Sequence, residues 1–147
     1  IGRRHLRSNN SWLHNIESRV KGRDRCTAML HPDDAAARGL VDGDHVVVSS
    51  RVGAIELPLE ASEDMRPGVV SIPHGWGHDV KDVGWSSAAA TPGVNVNLLT
   101  EAGLVDRLSG NAALNATWVR VEPVRDLPVS DGADEASTTS GTVPATT

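Results

Sequence analysis

The side chains that chemistry would need are gathered in a few stretches of this chain. The first is Arg4-x-Leu6-Arg7-Ser8-Asn9-Asn10-Ser11-Trp12-Leu13-His14-Asn15. Guanidinium groups suit paired, charge-assisted bonds to a phosphate or a ring carbonyl, and Asn and Ser match the edge of a heterocycle. A merely solvated basic arm would not require Asn, Ser, Trp and His together, so this opening loop reads as a binding element. The second stretch is His74-x3-His78 followed by Asp79, a spacing that would present two imidazoles to a metal if it were helical. Pro73, Gly75 and Gly77 argue against a helix there. Packing of a ligand by Gly75, Trp76 and Gly77 fits better, since glycine permits close backbone approach and tryptophan offers a stacking face. Ser, His and Asp are all present, yet there is neither a Gly-x-Ser-x-Gly elbow nor a Gly-x-x-x-x-Gly-Lys phosphate loop. No residue is nominated as catalytic and none as a metal ligand. The single Cys26 excludes an internal disulfide and a Cys-ligated zinc or iron–sulfur site built by this chain alone. It reads as a small buried hydrophobe.

The elements that must position these stretches are mostly strands. Residues 26–30 form a strand and residues 32–38 a short helix, with Pro32 in its first turn, Asp33 and Asp34 at the positive end of its dipole, and Gly39 as its stop. Residues 45–51 are β-branched and strand-like, Val52-Gly53 reverses the chain, and 54–61 alternates, with Ile55, Leu57 and Leu59 on one face. Pro58 removes a ladder donor and places that strand at an edge or a bulge. Pro67-Gly68 turns into a strand over 69–72, and 117–122 closes the set, giving one closed barrel with the helix over an opening. Arg3 to Arg7 suits a short strand and 12–17 a helical turn capped by Ser11. Residues 80–93 form a polar, irregular loop, expected, like the opening loop, to be mobile without a ligand; residues 94–100 start with a strand-like alternation.

The chain of 147 residues has the size of one domain, and with neither Phe nor Tyr its core must be built from Val, Leu, Ile and Ala. Of Trp12, Trp76, Trp85 and Trp118, all but the last fall outside the expected strands, as loop anchors or contact surfaces. Residues 1–25 hold seven cations against two carboxylates, a local +5, so that with a net charge of -5 the remainder carries -10. A basic opening on an acidic body suggests a local anionic partner. No apolar run approaches the roughly 20 residues that span a bilayer, and no signal-peptide pattern is seen, so a cytoplasmic chain is expected. It begins with Ile1 and reads as a piece of a longer protein.

Taken in order, these blocks resemble the C-terminal molybdopterin-dinucleotide-binding domain of the molybdopterin oxidoreductases, the family of formate dehydrogenases, nitrate reductases and dimethyl sulfoxide reductases. Besides the opening loop, the residues that carry the likeness are His31-Pro32-Asp33-Asp34-Ala35, Arg38-Gly39-Leu40-x-Asp42-Gly43-Asp44-x-Val46, Ser50-Arg51-x-Gly53, Pro67-Gly68-Val69-Val70, Pro73-x-Gly75-Trp76-Gly77, Asn95-x-Asn97-x-Leu99-Thr100 and Leu108-Ser109-Gly110. The family more often has Asn where this chain has His31, a change that leaves the strand-to-helix junction intact.

The resemblance implies a mainly β fold with short helices, a double-psi β-barrel over residues 1–124, followed by a tail, 125–147, whose Ser, Thr, Gly, Ala and acidic composition predicts disorder. It implies a domain that closes over part of a bis(molybdopterin guanine dinucleotide) cofactor within a larger molybdenum-dependent oxidoreductase. The molybdenum ligand and any iron–sulfur cysteines would come from other domains of the same enzyme, and the isolated domain would be inactive. Arg4, Arg7, Ser8, Asn9, Ser11 and His14 would contact pterin and phosphate groups, with Gly75, Trp76 and Asn97 lining the same pocket. Two other readings are a double-psi barrel adaptor, which leaves the opening loop unexplained, and a nucleic-acid or protein-binding module, against which the acidic remainder counts. The expected partners are the remaining domains of the oxidoreductase, with neither nucleic acid nor membrane.

Overall fold

Alternation in residues 45–61 builds the centre of the molecule. In the computed structural model, which describes residues 2–3, 11–80, 84–112 and 115–124, the strands β1 (Gly2–Arg3), β2 (Ala28–Leu30), β3 (His45–Ser49), β4 (Ala54–Ala61), β5 (Ile72–Pro73) and β6 (Arg120–Pro123) are joined by short helices. β3 and β4 form an antiparallel hairpin that sets Val46 opposite Leu57 and Val48 opposite Ile55, and β6 lies along the other side of β3 with Val121 opposite Val48. These side chains pack with Leu59 and Ala28 in a buried core that also takes in Leu30, Ala35, Leu40, Ile72 and Leu99. The reversal at residues 50–53 depends on Ser50, whose Oγ accepts from the N–H of Val52 and of Gly53, rather than on a left-handed glycine. Gly53 answers a different need: a Cβ there would stand 2.3 Å from the carbonyl oxygen of Leu98.

β4 is a central strand, which corrects the edge position inferred from Pro58. The four-stranded sheet runs β2-β4-β3-β6, with β2 parallel to β4. Leu59 donates to the Asp44 carbonyl toward β3 and accepts from Gly43, so the nitrogen of Pro58 faces the other way. The pairing with β2 begins only at Leu59, and Pro58 therefore removes no ladder bond.

The expected closed barrel is not traced by one continuous ladder among the described residues. β5 pairs in parallel with β1 as a separate two-stranded sheet, connected to the larger one by a bridge in which Met29 and Ser71 exchange N–H···O bonds of 2.9 and 3.0 Å. Between β6 and this small sheet no ladder forms among the described residues. Ala116 takes a φ of 62°, a left-handed value costly for a residue with a Cβ, and the strand expected from Thr117 starts only at Arg120, which pairs with Ser49, the last residue of β3. At that seam Val119 and Val121 line a cavity together with Leu30 and Val70.

The helix α2 (Pro32–Ala36) is shorter than expected and begins as the sequence indicates, with Pro at its first position. His31 acts as its N-cap, Nδ1 accepting from the N–H of Asp33 at 3.2 Å, so the imidazole performs the task an amide oxygen would. Asp34 accepts from the N–H of Gly68 at 2.6 Å, fastening the helix to the Pro67-Gly68 turn. In that turn Val69 donates to Arg66, and Gly68 has the positive φ of 80° that the second central position demands.

Two further regions differ from expectation. Residues 80–93 contain a helix, α3 (Ser86–Ala90), with Ala88 fully buried. Residues Val96–Leu99 form a 3-10 turn rather than a strand, because Asn95 Oδ1 accepts from the N–H of Asn97 and competes with extension. The outline is that of a mainly β domain with few short helices. The tail over 125–147 lies outside the described residues.

Candidate functional site

A run of Asn and Ser favours tight local turns, and Ser11–Asn15 forms a 3-10 helix, followed by α1 (Glu17–Val20). At three residues per turn Trp12 and His14 face apart. Trp12 is 71% exposed and His14 is 0% exposed. The imidazole of His14 stacks on the indole of Trp76 with ring centroids 3.9 Å apart and 33° between planes. Its Nδ1 lies 2.8 Å from Nε2 of His78, whose ring stands edge-on at 85° and in turn faces Trp85 at 5.7 Å.

The chain reaches this arrangement through backbone that only small residues allow. Gly75 and Gly77 both take positive φ on either side of Trp76, and the N–H groups of Gly77 and His78 share the Pro92 carbonyl at 2.8 and 3.1 Å. At Gly93 a Cβ would come within 2.8 Å of both Cys26 Sγ and the Trp76 ring. Asn15 ties α3 to the same hub, its Oδ1 accepting from the N–H of Ser87 and of Ala88 at 3.2 and 3.3 Å. α3 has no side-chain cap of its own, so Asn15 caps it from a distance.

Electrostatics fixes the protonation of the pair. Burial, reinforced by the neighbouring His78, pushes His14 down to about 4. Burial also lowers His78, opposed by a hydrogen bond to the Gly75 backbone and by Asp79. At the 2.8 Å contact one imidazole donates and the other accepts, and His14 Nε2, on the far side of its ring, takes no part in it. That atom and the Trp76 Nε1–H are buried without hydrogen-bond partners among the described residues. A buried imidazole nitrogen and a buried indole donor thus lie unmet in one stacked pair. Such a pair suits the donor and acceptor edge of a heterocycle, whereas a base titrating near 4 is poorly matched to proton abstraction at neutral pH. Burial likewise pushes the Cys26 thiol up to about 11, far from a reactive thiolate. Among the described residues no three His, Cys, Asp or Glu side chains gather as a metal site would require. Beside Trp76 a cavity of about 310 Å³ opens, rimmed by Arg23 and Arg25.

Of the residues singled out in the sequence, Arg4, Arg7, Ser8 and Asn9 lie outside the described residues, and Ser11 opens the 3-10 helix. His14, Gly75 and Trp76 are brought together. Asn97 is exposed on its own turn, and its neighbour Asn95 lies against Gly77. Sequence reasoning weighed His78 only against His74, whereas its partner is His14, 64 positions away. Asn15 was read only as the end of the opening loop and Trp85 only as a loop anchor or contact surface; the capping role of Asn15 was missed because its acceptor serves backbone 72 and 73 positions later.

Residues 1–118 match the family described as the molydopterin dinucleotide binding domain. The chain is similar to the trimethylamine-N-oxide reductase of Haemophilus influenzae, 31% identical over 67% of this chain and 12% of the relative. It is similar also to the arsenate respiratory reductase molybdopterin-containing subunit of Chrysiogenes arsenatis, 30% identical over 78% of this chain and 14% of the relative. A shorter match, 41% identical over 30% of this chain and 6% of the relative, is to the periplasmic nitrate reductase of Desulfovibrio desulfuricans. In fold it resembles the acetylene hydratase of Pelobacter acetylenicus, with a TM-score of 0.66 at 22% identity, over 84% of this chain and 18% of that one. The chain thus spans a small fraction of each protein's length. No helix among the described residues is long and apolar enough to cross a membrane.

Proposed function

We propose, from the premise that this chain belongs to the molydopterin dinucleotide binding domain family, that it closes over one part of a bis(molybdopterin guanine dinucleotide) held by a larger molybdenum-dependent oxidoreductase. The chain is a molybdopterin-dinucleotide-binding domain. The remaining domains of the enzyme would be its partners and would supply the molybdenum ligand. The double-psi β-barrel is part of this reading, supported by the parallel pairings β1–β5 and β2–β4 around the β3–β4 hairpin. The division into a domain over 1–124 and a tail over 125–147 is supported by a family match that ends at residue 118.

The observation that carries the binding role is the unmet pair at His14 Nε2 and Trp76 Nε1. It lies where the opening loop meets the Pro73-to-Gly77 segment, and it offers an imidazole nitrogen and an indole N–H to a ligand with a polar heterocyclic edge. Arg4 and Arg7 would hold phosphate or ring oxygens, Ser8, Asn9 and Ser11 would complete the polar contacts, and Gly75 and Asn97 would line the same pocket. The cofactor supplies the redox chemistry when bound; these residues bind and orient it.

The test is cofactor retention by the intact protein under mild denaturant. A charge-assisted bond is worth about 1.5–3 kcal/mol, so Arg4→Ala and Arg7→Ala should each weaken retention about tenfold or more. Arg66→Ala, an exposed cation remote from the opening loop in sequence, is the control. Retention equal to the control in both loop variants overturns the assignment. Cytoplasmic residence belongs to the same reading, and recovery of the intact protein from the periplasmic fraction would overturn that part.

A further inference from the structure

We infer that Arg3, Thr27 and Glu60 form a latch that positions the two ligand-bearing segments relative to each other. The inference rests on the cofactor-binding reading above. β1 and β5 are parallel, with Gly2 opposite Ile72 and Arg3 opposite Pro73. Parallel strands leave their sheet at the same end. Arg3 therefore runs directly into Arg4 and the opening loop, while Pro73 runs directly into His74, Gly75 and Trp76. The His74 N–H donates to the Arg3 carbonyl at 3.0 Å, continuing the pairing by one residue. Two paired residues are too few for backbone bonds alone to hold both departures in place.

Side chains supply the rest. Arg3 donates from Nη1 to the Ser71 carbonyl at 2.5 Å and from Nη2 to Thr27 Oγ1 at 2.7 Å. The Thr27 hydroxyl has one proton, which it donates to Glu60 Oε2 at 2.6 Å, so it can only accept from Arg3. Glu60 also pairs with Arg23 and stands 3.7 Å from Arg3. One hydroxyl, on a residue only 6% exposed, thus relays between a guanidinium on β1 and a carboxylate on β4, with the Ser71 carbonyl beside β5 in the same network. The half-buried guanidinium is costly to desolvate, and burial lowers its pKa against the opposing pull of Glu60. A residue needed only to cover the core would be apolar. The fork geometry of Arg instead fixes direction, which matters where a displacement of about 1 Å weakens a preorganised contact.

The experiment uses the intact protein with Thr27→Val, which keeps the shape and removes the relay, and Thr27→Ser, which restores the hydroxyl. Molybdenum content and pterin fluorescence per chain after mild urea report retention, and peptide-resolved amide exchange reports local order. Thr27→Val is expected to release cofactor about tenfold faster, from the loss of a bond to a charged group, with faster exchange over residues 71–78 and unchanged exchange over 45–49. Thr27→Ser should return both to the wild-type value. Wild-type retention in Thr27→Val, or exchange raised equally over 45–49, overturns the latch. Arg4→Ala and Arg7→Ala separate the two ideas: loss in them with retention in Thr27→Val sinks the latch alone, and retention in all three sinks the binding reading with it.

Discussion

At the scale of single residues, His14 is the group whose ionisation responds most directly to its surroundings. In the unfolded chain it takes up a proton near pH 6.5, but in the folded protein only near pH 4. Between those values the unfolded state binds more protons, so acidification favours it. His14's contribution is complete above about pH 6.5 and is lost as pH falls toward 4. His78, lowered for the same reason, acts in the same direction. Amide exchange over residues 74–78 of the intact protein should therefore quicken on going from pH 7 to pH 4.5 beyond its intrinsic pH dependence, and His14→Gln should flatten that profile. An identical profile in the variant would mean the stacked pair does not set the local stability. His14 and Trp76 were each visible in the sequence as residues suited to a ligand. Their stacking was not, because it depends on Gly93 leaving room beside the Trp76 ring.

At the scale of elements, legibility followed the range of the interactions. The alternation of Ile55, Leu57 and Leu59 and the Pro67-Gly68 turn depend on neighbours in sequence and were read correctly. α3 was not, since Ser86–Ala90 has no amphipathic period and takes its cap from Asn15. β6 began later than expected, and the left-handed Ala116 before it has no signature in a β-branched run. Asn15→Ala should cost α3 about 1 kcal/mol, seen as exchange roughly fivefold faster at Ser87 and Ala88 by the usual conversion of energy to rate. Unchanged exchange there would show that the burial of Ala88 alone holds the helix. Gly53→Ala should be more severe than an ordinary loop substitution, since its Cβ would meet the Leu98 carbonyl, a backbone atom. A melting temperature equal to wild type would show that the 3-10 turn at Val96–Leu99 moves freely aside.

For the whole molecule, stability is concentrated where the two sheets share a core and is thin at the seam. Leu57, 2% exposed and opposite Val46, should cost about 2–5 kcal/mol when cut to Ala, whereas Trp118, 93% exposed, should change stability by no more than about 0.5 kcal/mol as Trp118→Ser. Chemical denaturation of the intact protein, followed by exchange within β3 and β4, distinguishes the two. The parallel pairing of β1 with β5 has a consequence in time. Arg3 and Ser71 are 68 positions apart, and closing so long a loop costs chain entropy that a two-residue pairing and a side-chain network help to repay. The hairpin β3–β4, joined by a short turn, has no such burden and is suited to form first. The first residues of the chain should then be among the last to take their places. Both proposed arms of the site depart from that late junction, so a partly folded chain has nothing with which to grip the cofactor. Binding and the final folding step become one equilibrium, in which the cofactor selects finished domains and, by mass action, keeps them finished.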